Sequence, residues 1–267
     1  MLRFAIRNLR FRSRRTLTLF IVSFLVSVGC VGGIPKVPNS PEKILAEADR
    51  HYQKHNFFQA QHLYKAFLER HPGHERSDYA QFMLGETRFS EEEWALSTVE
   101  YHILVTNYGY SDLVDDGFFK GAIALFKQCP ENERLDQSKC DESLSKLMQF
   151  VQVFPQSNRI PEAEEYIAKI KARQAKKHLK NALLYVSQKK YNSAIIYLDK
   201  IIENYPDNDY WIRAKYWKGR VREMRGEYTQ SLRWYLEVEA HPRRIDVTSK
   251  ASEGAKRVRR QIEKEGS

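Results

Sequence analysis

The stretch KKYNSAIIYLDKIIENYP, residues 189–206, holds the residue pattern that decides the fold. Its large Tyr191 is followed three positions later by the small Ala194, and four positions further by the bulky Leu198. Residues three and four apart lie on one face of a helix, so these side chains share a surface. Pro206 follows, and proline cannot continue a helix because it lacks the backbone N–H. The stretch therefore predicts a helix that packs closely through Ala194 and ends near Pro206.

The same order of large, small and bulky residues recurs at residues 56–72, 92–109, 139–155 and 226–242. The small positions are Ala60, Ser97, Ser143, Ala194 and Ser231. A second small residue lies twelve positions earlier in four of the five stretches, at Ala48, Gly85, Ala182 and Gly219. In the third stretch this register falls on Glu131, and the small pair is expected further upstream, at Gly121 and Ala122. Two antiparallel helices approach closely where each carries a small side chain, so the pattern predicts five helix hairpins.

This spacing resembles the tetratricopeptide repeat, which stacks helix hairpins because one hairpin cannot bury its apolar face alone. The resemblance implies an all-α, right-handed superhelical solenoid of about five hairpins with a C-terminal capping helix. We expect residues 42–267 to form this single domain, with repeats near 42–73, 77–110, 112–156, 161–207 and 209–243 and a cap at 245–267. The clearest insertion is the polar stretch CPENERLDQSKC, at 129–140 in the third repeat.

The first 29 residues have the layout of an export signal. Six arginines and no acidic residue occupy the first fifteen positions, and the uncharged run TLTLFIVSFLVSVG follows at 16–29. This run is shorter than the ~20 apolar residues of a membrane-spanning helix. Cys30 comes next, which predicts a lipoprotein-type signal with Cys30 as the lipidated residue. Residues 30–41, rich in proline and glycine, are expected to form a tether.

Other interpretations of the N-terminus stay open. An ordinary cleaved signal would leave Cys30 an incidental cysteine, and a short uncleaved anchor would leave the apolar run in place. The stretch SRRTL, at 13–17, also resembles the opening of a twin-arginine signal, although a simple basic segment explains it as well.

Charge does not favour nucleic-acid binding. Loss of the leader arginines would lower the formal net charge from +10 to about +4, an ordinary value for a soluble domain. The lysine-rich stretch KIKARQAKKHLK, at 169–180, lacks the aromatic residues of a strand-binding surface and is predicted to be a solvent-exposed helix face. Cys129 and Cys140 either form a disulfide, which an oxidising compartment would favour, or remain two unrelated thiols.

No combination of residues points to catalysis. The chain has no glycine-rich phosphate loop, metalloprotease motif or nucleophile elbow, and we expect no metal or cofactor. His51 and His55 lie four apart on a predicted helix, but no third ligand stands at a supporting spacing, so solvent-facing histidines are predicted. We therefore expect a protein that is not an enzyme and that acts through its surfaces.

Two surfaces are candidates for binding proteins. The first helices of stacked hairpins line the concave side of a solenoid. In the first two repeats this side is predicted to form an aromatic groove with acidic edges for an extended peptide, made by Leu45, Asp49, Tyr52, Tyr79, Phe82, Glu86 and Phe89. Packing between repeats is the alternative role of these aromatic residues. In the fifth repeat, Arg213, Tyr216, Trp217 and Arg220 have the composition of an interaction hot spot.

The whole arrangement resembles the BamD-type outer-membrane assembly lipoproteins. The resemblance rests on the lipoprotein-type N-terminus, the short tether, the five repeats and Asp136–Gln137 inside the third repeat. The phrases SPEKILAEADRHYQKHNFFQA, at 40–60, and FVQVFPQSNRIPEAEEYI, at 150–167, are also similar to that family. The resemblance implies a lipid-anchored scaffold on the periplasmic face of the outer membrane, and Val31, in place of the aspartate that retains lipoproteins at the inner membrane, agrees with this location.

The same resemblance implies the partners. They are a BamA-like β-barrel protein held by the C-terminal repeats, the other lipoproteins of the barrel-assembly machinery, and unfolded outer-membrane proteins bound in the groove. The alternative is another periplasm-facing tetratricopeptide lipoprotein that serves as a scaffold in cell-wall or pilus assembly.

Overall fold

The computed structural model describes residues 36–206 and 208–266, and these residues form eleven α-helices and no strand. The helices are α1 Pro41–Gln53, α2 Phe57–Arg70, α3 Ser77–Ser90, α4 Trp94–Asn107, α5 Val114–Lys127, α6 Ser138–Val153, α7 Ile160–Ser187, α8 Tyr191–Asn204, α9 Asp209–Met224, α10 Tyr228–Glu239 and α11 Thr248–Glu265. The all-α prediction is confirmed. The predicted leader, Cys30 and the first part of the predicted tether lie outside the described residues.

The helices form five consecutive hairpins, α1–α2 through α9–α10, and α11 packs against the last of them. Every described helix packs against the next one along the chain, and α9 also contacts α7 and α11. Contacts therefore run mainly between neighbours, as in a solenoid in which each repeat buries the face of the next. The predicted tetratricopeptide-type solenoid is confirmed.

The small residues of the repeat lie where the two helices of each hairpin cross. Ala60, Ser97, Ser143, Ala194 and Ser231 are all fully buried. The three serines donate hydrogen bonds to the facing helix: Ser97 Oγ to the Gly85 carbonyl oxygen at 3.1 Å, Ser143 Oγ to that of Ala122 at 2.8 Å, and Ser231 Oγ to that of Gly219 at 2.8 Å. The third hairpin therefore crosses at Ala122, within the upstream pair that the sequence predicts.

Glycine is required where a tyrosine covers such a crossing. A Cβ atom on Gly85 would lie 2.7 Å from the ring of Tyr101, and one on Gly219 would lie 3.0 Å from the ring of Tyr235. Gly254 of α11 approaches the opposite edge of Tyr235, where an added Cβ would be 2.7 Å away. The cap helix thus closes the last hairpin at a position where no larger residue fits without displacing the ring.

Four of the five hairpin turns use one residue in the left-handed region of backbone space. These residues are His55, Glu92, Lys189 and Gly226, with φ of 57°, 61°, 57° and 76°. Each stands five positions before the small residue of the following helix, so the turns share one geometry. The third hairpin has instead the longer loop 128–137 between α5 and α6.

The loop 128–137 is fastened to α7. Cys129 and Cys140 pair at its base, with Cα atoms 5.2 Å apart, a separation that suits the disulfide predicted as one of two states. Lys176 and Lys180 of α7 contact the Glu133 carboxylate at 2.8 and 2.9 Å. Both lysines stay 46 and 59% exposed, in agreement with the predicted solvent-exposed face, and they bind the loop from that face. Their partner comes from a loop that lies 47 residues from Lys180 in the chain.

Candidate partner-binding site

A pocket of about 570 Å³ opens at the C-terminal end of the solenoid, between α7, α9 and α11. The four hot-spot residues that the sequence singles out, Arg213, Tyr216, Trp217 and Arg220, all line it. Their spacing of three and four residues places them on one face of α9. The structure thus brings these residues together around a single cavity, and we call it the C-terminal pocket.

Two aromatic rings, those of Tyr216 and Trp217, line the C-terminal pocket. Tyr216 is 9% exposed, and its ring centroid lies 5.7 Å from that of Trp217 and 6.0 Å from that of Tyr235. Burial raises the pKa of the Tyr216 phenol, so the hydroxyl stays protonated at neutral pH. An aromatic lining with a protonated hydroxyl suits an amphipathic segment of a partner.

The arginines of the C-terminal pocket are held by carboxylates. Arg213 Nη1 lies 2.7 Å from Asp246 Oδ1, and Arg220 Nη1 lies 2.9 Å from Glu223 Oε2. Arg257 of α11 contacts the same Glu223 at 2.5 Å. Burial would raise the pKa of Glu223, but hydrogen bonds from Arg257 and Tyr235 outweigh it and hold the pKa below its usual value. Glu223 therefore stays charged and fixes two arginines beside the cavity.

Residues of α7 and of the segment around α11 complete the pocket, and the sequence-based prediction misses them. They are Leu179, Leu183, Asp246, Val247, Lys250, Glu253 and Arg257. The sequence does contain a pattern that could have located the pocket residues of α11. Ala251, Ala255 and Val258 recur at a helical period, and all three are buried. That period places Lys250 and Arg257 next to the buried face of α11 rather than on its outer side.

The predicted N-terminal groove needs one correction. Leu45 is fully buried in the core of the first hairpin, so its assignment to the groove is wrong. The reason is that α1 buries a stripe of three residues, Ile44, Leu45 and Ala48, wider than the repeat register alone suggests. The other six predicted groove residues, Asp49, Tyr52, Tyr79, Phe82, Glu86 and Phe89, are partly exposed, and their role in binding peptides stays a prediction.

The acidic residues of this groove bridge successive repeats. Asp49 Oδ1 accepts hydrogen bonds from Tyr64 at 2.6 Å and from Tyr79 of the next hairpin at 2.9 Å. Glu86 Oε1 lies 3.0 Å from Lys120 Nζ, again of the next hairpin. Burial, aided by the hydrogen bond to Asp49, raises the pKa of Tyr79 to about 12, so this phenol remains a donor at neutral pH. These carboxylates therefore hold the repeats together.

The histidines at the end of α1 take part in local contacts. His51 Nε2 lies 3.3 Å from Glu47 Oε1, and His55 occupies the turn after the helix. In residues 36–206 and 208–266 there is no group of three or more His, Cys, Asp or Glu side chains placed to hold a metal ion. None of the described helices has the length and apolar character needed to cross a membrane.

The chain is similar to solved structures of tetratricopeptide-repeat proteins. No curated protein matches the chain significantly. Among solved structures, the chain is similar to a TPR repeats protein from Bacteroides fragilis, with 11% identity over 84% of this chain and 100% of that one and a TM-score of 0.48. It is also similar to the TPR2AB domain of yeast Sti1 in its pHSP90 complex, with 12% identity over 82% and 98% of the two chains and a TM-score of 0.38.

A family model described as YfiO, outer membrane lipoprotein, matches residues 38–222, which is more than half of the chain. The match runs from just before α1 into α9, so it covers the first four hairpins and most of the first helix of the fifth. It confirms the resemblance to the BamD-type lipoproteins that the sequence phrases indicate. The chain therefore belongs to the YfiO family of outer membrane lipoproteins.

Proposed function

We propose that this protein is a non-enzymatic scaffold of the machinery that assembles β-barrel proteins in the outer membrane. Family membership and a solenoid of helix hairpins support a role in holding other proteins. The observation that carries the proposal is the convergence of Arg213, Tyr216, Trp217 and Arg220 on the C-terminal pocket. Arginine, tryptophan and tyrosine in a partly desolvated pocket are the residues that dominate binding energy at protein interfaces. This pocket binds the BamA-like β-barrel partner.

The lining of the pocket indicates which partner segment fits. It carries four basic side chains, Arg213, Arg220, Lys250 and Arg257, against the acidic Asp246 and Glu253 of the lining and Glu223 beside it. Charge-assisted hydrogen bonds from arginine favour a carboxylate. The ring of Trp217 beside them favours an apolar neighbour of that carboxylate. The segment of the β-barrel partner that enters the pocket therefore presents an acidic residue next to an apolar one.

The remaining parts of the proposal concern the N-terminal half. Cys30 carries the lipid that anchors the protein to the outer membrane, with the solenoid on the periplasmic face. The partly exposed rings of Tyr52, Phe82 and Phe89 receive unfolded outer-membrane proteins, whose terminal strands are rich in aromatic residues. The other lipoproteins of the assembly machinery bind elsewhere on the solenoid. A Cys30→Ser variant should lose incorporation of labelled palmitate and leave the membrane fraction.

Affinity purification from outer-membrane extracts tests the pocket. Trp217→Ala should lower recovery of the BamA-like partner at least about tenfold, because truncating a hot-spot residue costs ~2 kcal/mol or more. The control is Phe58→Ala, which removes an aromatic ring that is 54% exposed on α2 and should leave recovery unchanged. Circular dichroism must show that both variants keep their helix content.

Two results would contradict the proposal. One is recovery of a cell-wall or pilus assembly protein, in place of a β-barrel protein, that depends on Trp217. The other is a normal level of outer-membrane β-barrel proteins in cells depleted of this lipoprotein. Either result would favour the alternative scaffold function.

A further inference from the structure

We propose that the inserted loop and α7 form a second docking site, which takes an acidic segment of a partner protein. The site lies between the loop 128–137 and the second half of α7, and we call it the loop cleft. It shares no lining residue with the C-terminal pocket. The proposal therefore stands or falls independently of the function proposed above.

The loop cleft is preorganised because the loop is fixed at several points. Its base is closed by the pairing of Cys129 with Cys140, whose Cα atoms lie 5.2 Å apart. Arg173 of α7 donates a hydrogen bond to the Pro130 carbonyl oxygen. Within the loop, Gln137 Nε2 donates to the carbonyl oxygens of Asn132 and Leu135, at 3.2 Å each. A site that is rigid before binding spends less free energy on ordering when a ligand arrives.

The cleft has the size and lining of a binding site for an extended segment. It encloses about 790 Å³. The loop contributes Asn132, Glu133 and Arg134, and α7 contributes Lys177, Lys180 and Leu184 among others. Leu184 is 55% exposed, as is Leu135 on the loop, so apolar surface flanks the charged lining. A cavity of this volume holds a few side chains of a peptide.

Charge complementarity identifies the occupant. The one carboxylate in the lining, that of Glu133, already contacts both Lys176 and Lys180. Among the described residues, Arg134 and Lys177 form no ion pair, and both line the cleft. The cleft therefore presents two cations without an ion-pair partner beside a carboxylate that two lysines already hold, and the Asp136 carboxylate of the loop acts on Lys177 only at longer range. A ligand with carboxylates would satisfy them through charge-assisted hydrogen bonds.

The charged groups around the cleft are lysines of α7 and α8 and the Asp136 carboxylate of the loop. His178 follows Lys177 on α7, and its pKa is lowered by burial and by the positive charges of Lys200 and Lys177. The ring stays neutral and adds no charge, while the two lysines add to the potential that acts on an approaching anion. Field lines from like charges around a cleft raise the local concentration of an acidic ligand.

An acidic protein segment fits the cleft better than an anionic membrane surface. Lys177 is only partly exposed, so a flat layer of headgroups would reach it poorly. An extended chain can enter, place carboxylates near Arg134 and Lys177, and lay an apolar side chain on Leu184. The Asn181 amide in the lining can also hydrogen-bond to a peptide backbone.

Fluorescence anisotropy with a defined probe tests the proposal. The full-length lipoprotein in detergent is titrated against a fluorescein-labelled hexapeptide of alternating Glu-Asp pairs and leucine, with a peptide carrying lysine for each acid as comparison. The acidic peptide should bind and the basic one should not. R134E/K177E should weaken binding at least tenfold. R134Q/K177Q, which adds no acid to the cleft, should weaken it in the same direction.

The matched control is K256E/R259E, which makes the same change of charge on the exposed side of α11. It should alter affinity by less than twofold, as should Trp217→Ala in the C-terminal pocket. Equal loss in K256E/R259E and R134E/K177E would overturn the proposal, because binding would then follow net charge alone. Phosphatidylglycerol vesicles that bind through Arg134 and Lys177 while the peptide does not would also overturn it, in favour of a lipid site. Self-association abolished by R134E/K177E, without peptide binding, would overturn it in favour of a second copy of the chain.

Discussion

In four of the five hairpins one turn residue adopts the left-handed conformation, and its free-energy cost depends on whether that residue carries a Cβ atom. Lys189 and Gly226 occupy equivalent turns, with φ of 57° and 76°, yet one carries a Cβ and the other does not. The left-handed conformation costs an L-residue roughly 1–2 kcal/mol. Glycine avoids this cost but loses about 0.5–1 kcal/mol more in conformational entropy on folding. The balance favours glycine at these positions.

Exchanging the two turn residues tests this balance. Lys189→Gly should raise the free energy of unfolding by ~0.5–1 kcal/mol, and Gly226→Lys should lower it by a similar amount. Urea unfolding followed by circular dichroism measures both. Lys190→Gly is the control, since Lys190 has φ of −86° and gains nothing from glycine. Equal effects at positions 189 and 190 would show that the left-handed conformation is not the cause.

The glycines at the helix crossings lead to a second prediction. Gly85→Ala places a Cβ 2.7 Å from the buried ring of Tyr101. The ring or the helix must shift, and overpacking of this kind costs about 1–3 kcal/mol. Gly73→Ala makes the same chemical change where no atom lies within 4 Å of the new Cβ. Thermal unfolding should therefore separate the two variants, and similar midpoints would contradict the packing argument.

At the scale of secondary-structure elements, the loop between α5 and α6 depends on one carboxylate. Hydrogen bonds from Lys176 and Lys180 lower the pKa of Glu133 to about 2. Its pKa in the unfolded chain is about 4.3. A carboxyl group with a lowered folded-state pKa stabilises the fold above its unfolded pKa, and this contribution is lost as the pH falls through about 2. The loop should accordingly remain docked on α7 at pH 4.

Carbon-13 NMR of the Glu133 carboxyl checks the value directly. Its titration midpoint should lie near pH 2 in the native chain. In a Lys176→Met/Lys180→Met variant the midpoint should rise towards the ordinary glutamate value of about 4.3, because both donors are gone. Lys139→Met, which removes a lysine that pairs with Glu142 of its own helix, is the control and should leave the Glu133 midpoint unchanged. A native midpoint near 4 would show that the lysines do not hold the loop in solution.

The sequence predicts some contacts between elements and misses others. The difference depends on how far apart the contacting residues lie in the chain. The crossing of Ser143 over Ala122 follows from a local pattern of residue size, so the sequence locates it even with a long loop between the two helices. The contact of Glu133 with Lys180 joins residues 47 apart and leaves no periodic trace. The assignment of Leu45 to the groove is wrong for a third reason. The repeat register locates the centre of the buried stripe of α1 but does not give its width.

At the scale of the whole molecule, most of the buried apolar residues that the structure describes fall into four clusters in order along the solenoid rather than one central core. The last cluster joins α9 and α10 to α11 through Ile212, Tyr235 and Val258. The same α11 supplies Lys250 and Arg257 to the C-terminal pocket. The family match ends at residue 222, so this part of the pocket lies beyond the matched segment. The cap helix α11 therefore both covers the last apolar cluster and forms one side of the C-terminal pocket.

Removal of residues 245–267 tests this double role. Tyr235, fully buried in the intact chain, would be uncovered along the edge that now meets Gly254. Because each repeat is stabilised mainly by its neighbours, hydrogen–deuterium exchange should rise strongly in α9 and α10 and stay unchanged in α1 to α4. Recovery of the β-barrel partner should fall with the loss of the pocket wall.

A chain shortened only by residues 266–267 is the control and should behave as the intact protein. Uniformly faster exchange in all helices would instead mean that the solenoid unfolds as one cooperative unit. That result would contradict the prediction that the two ends of the solenoid are stabilised independently.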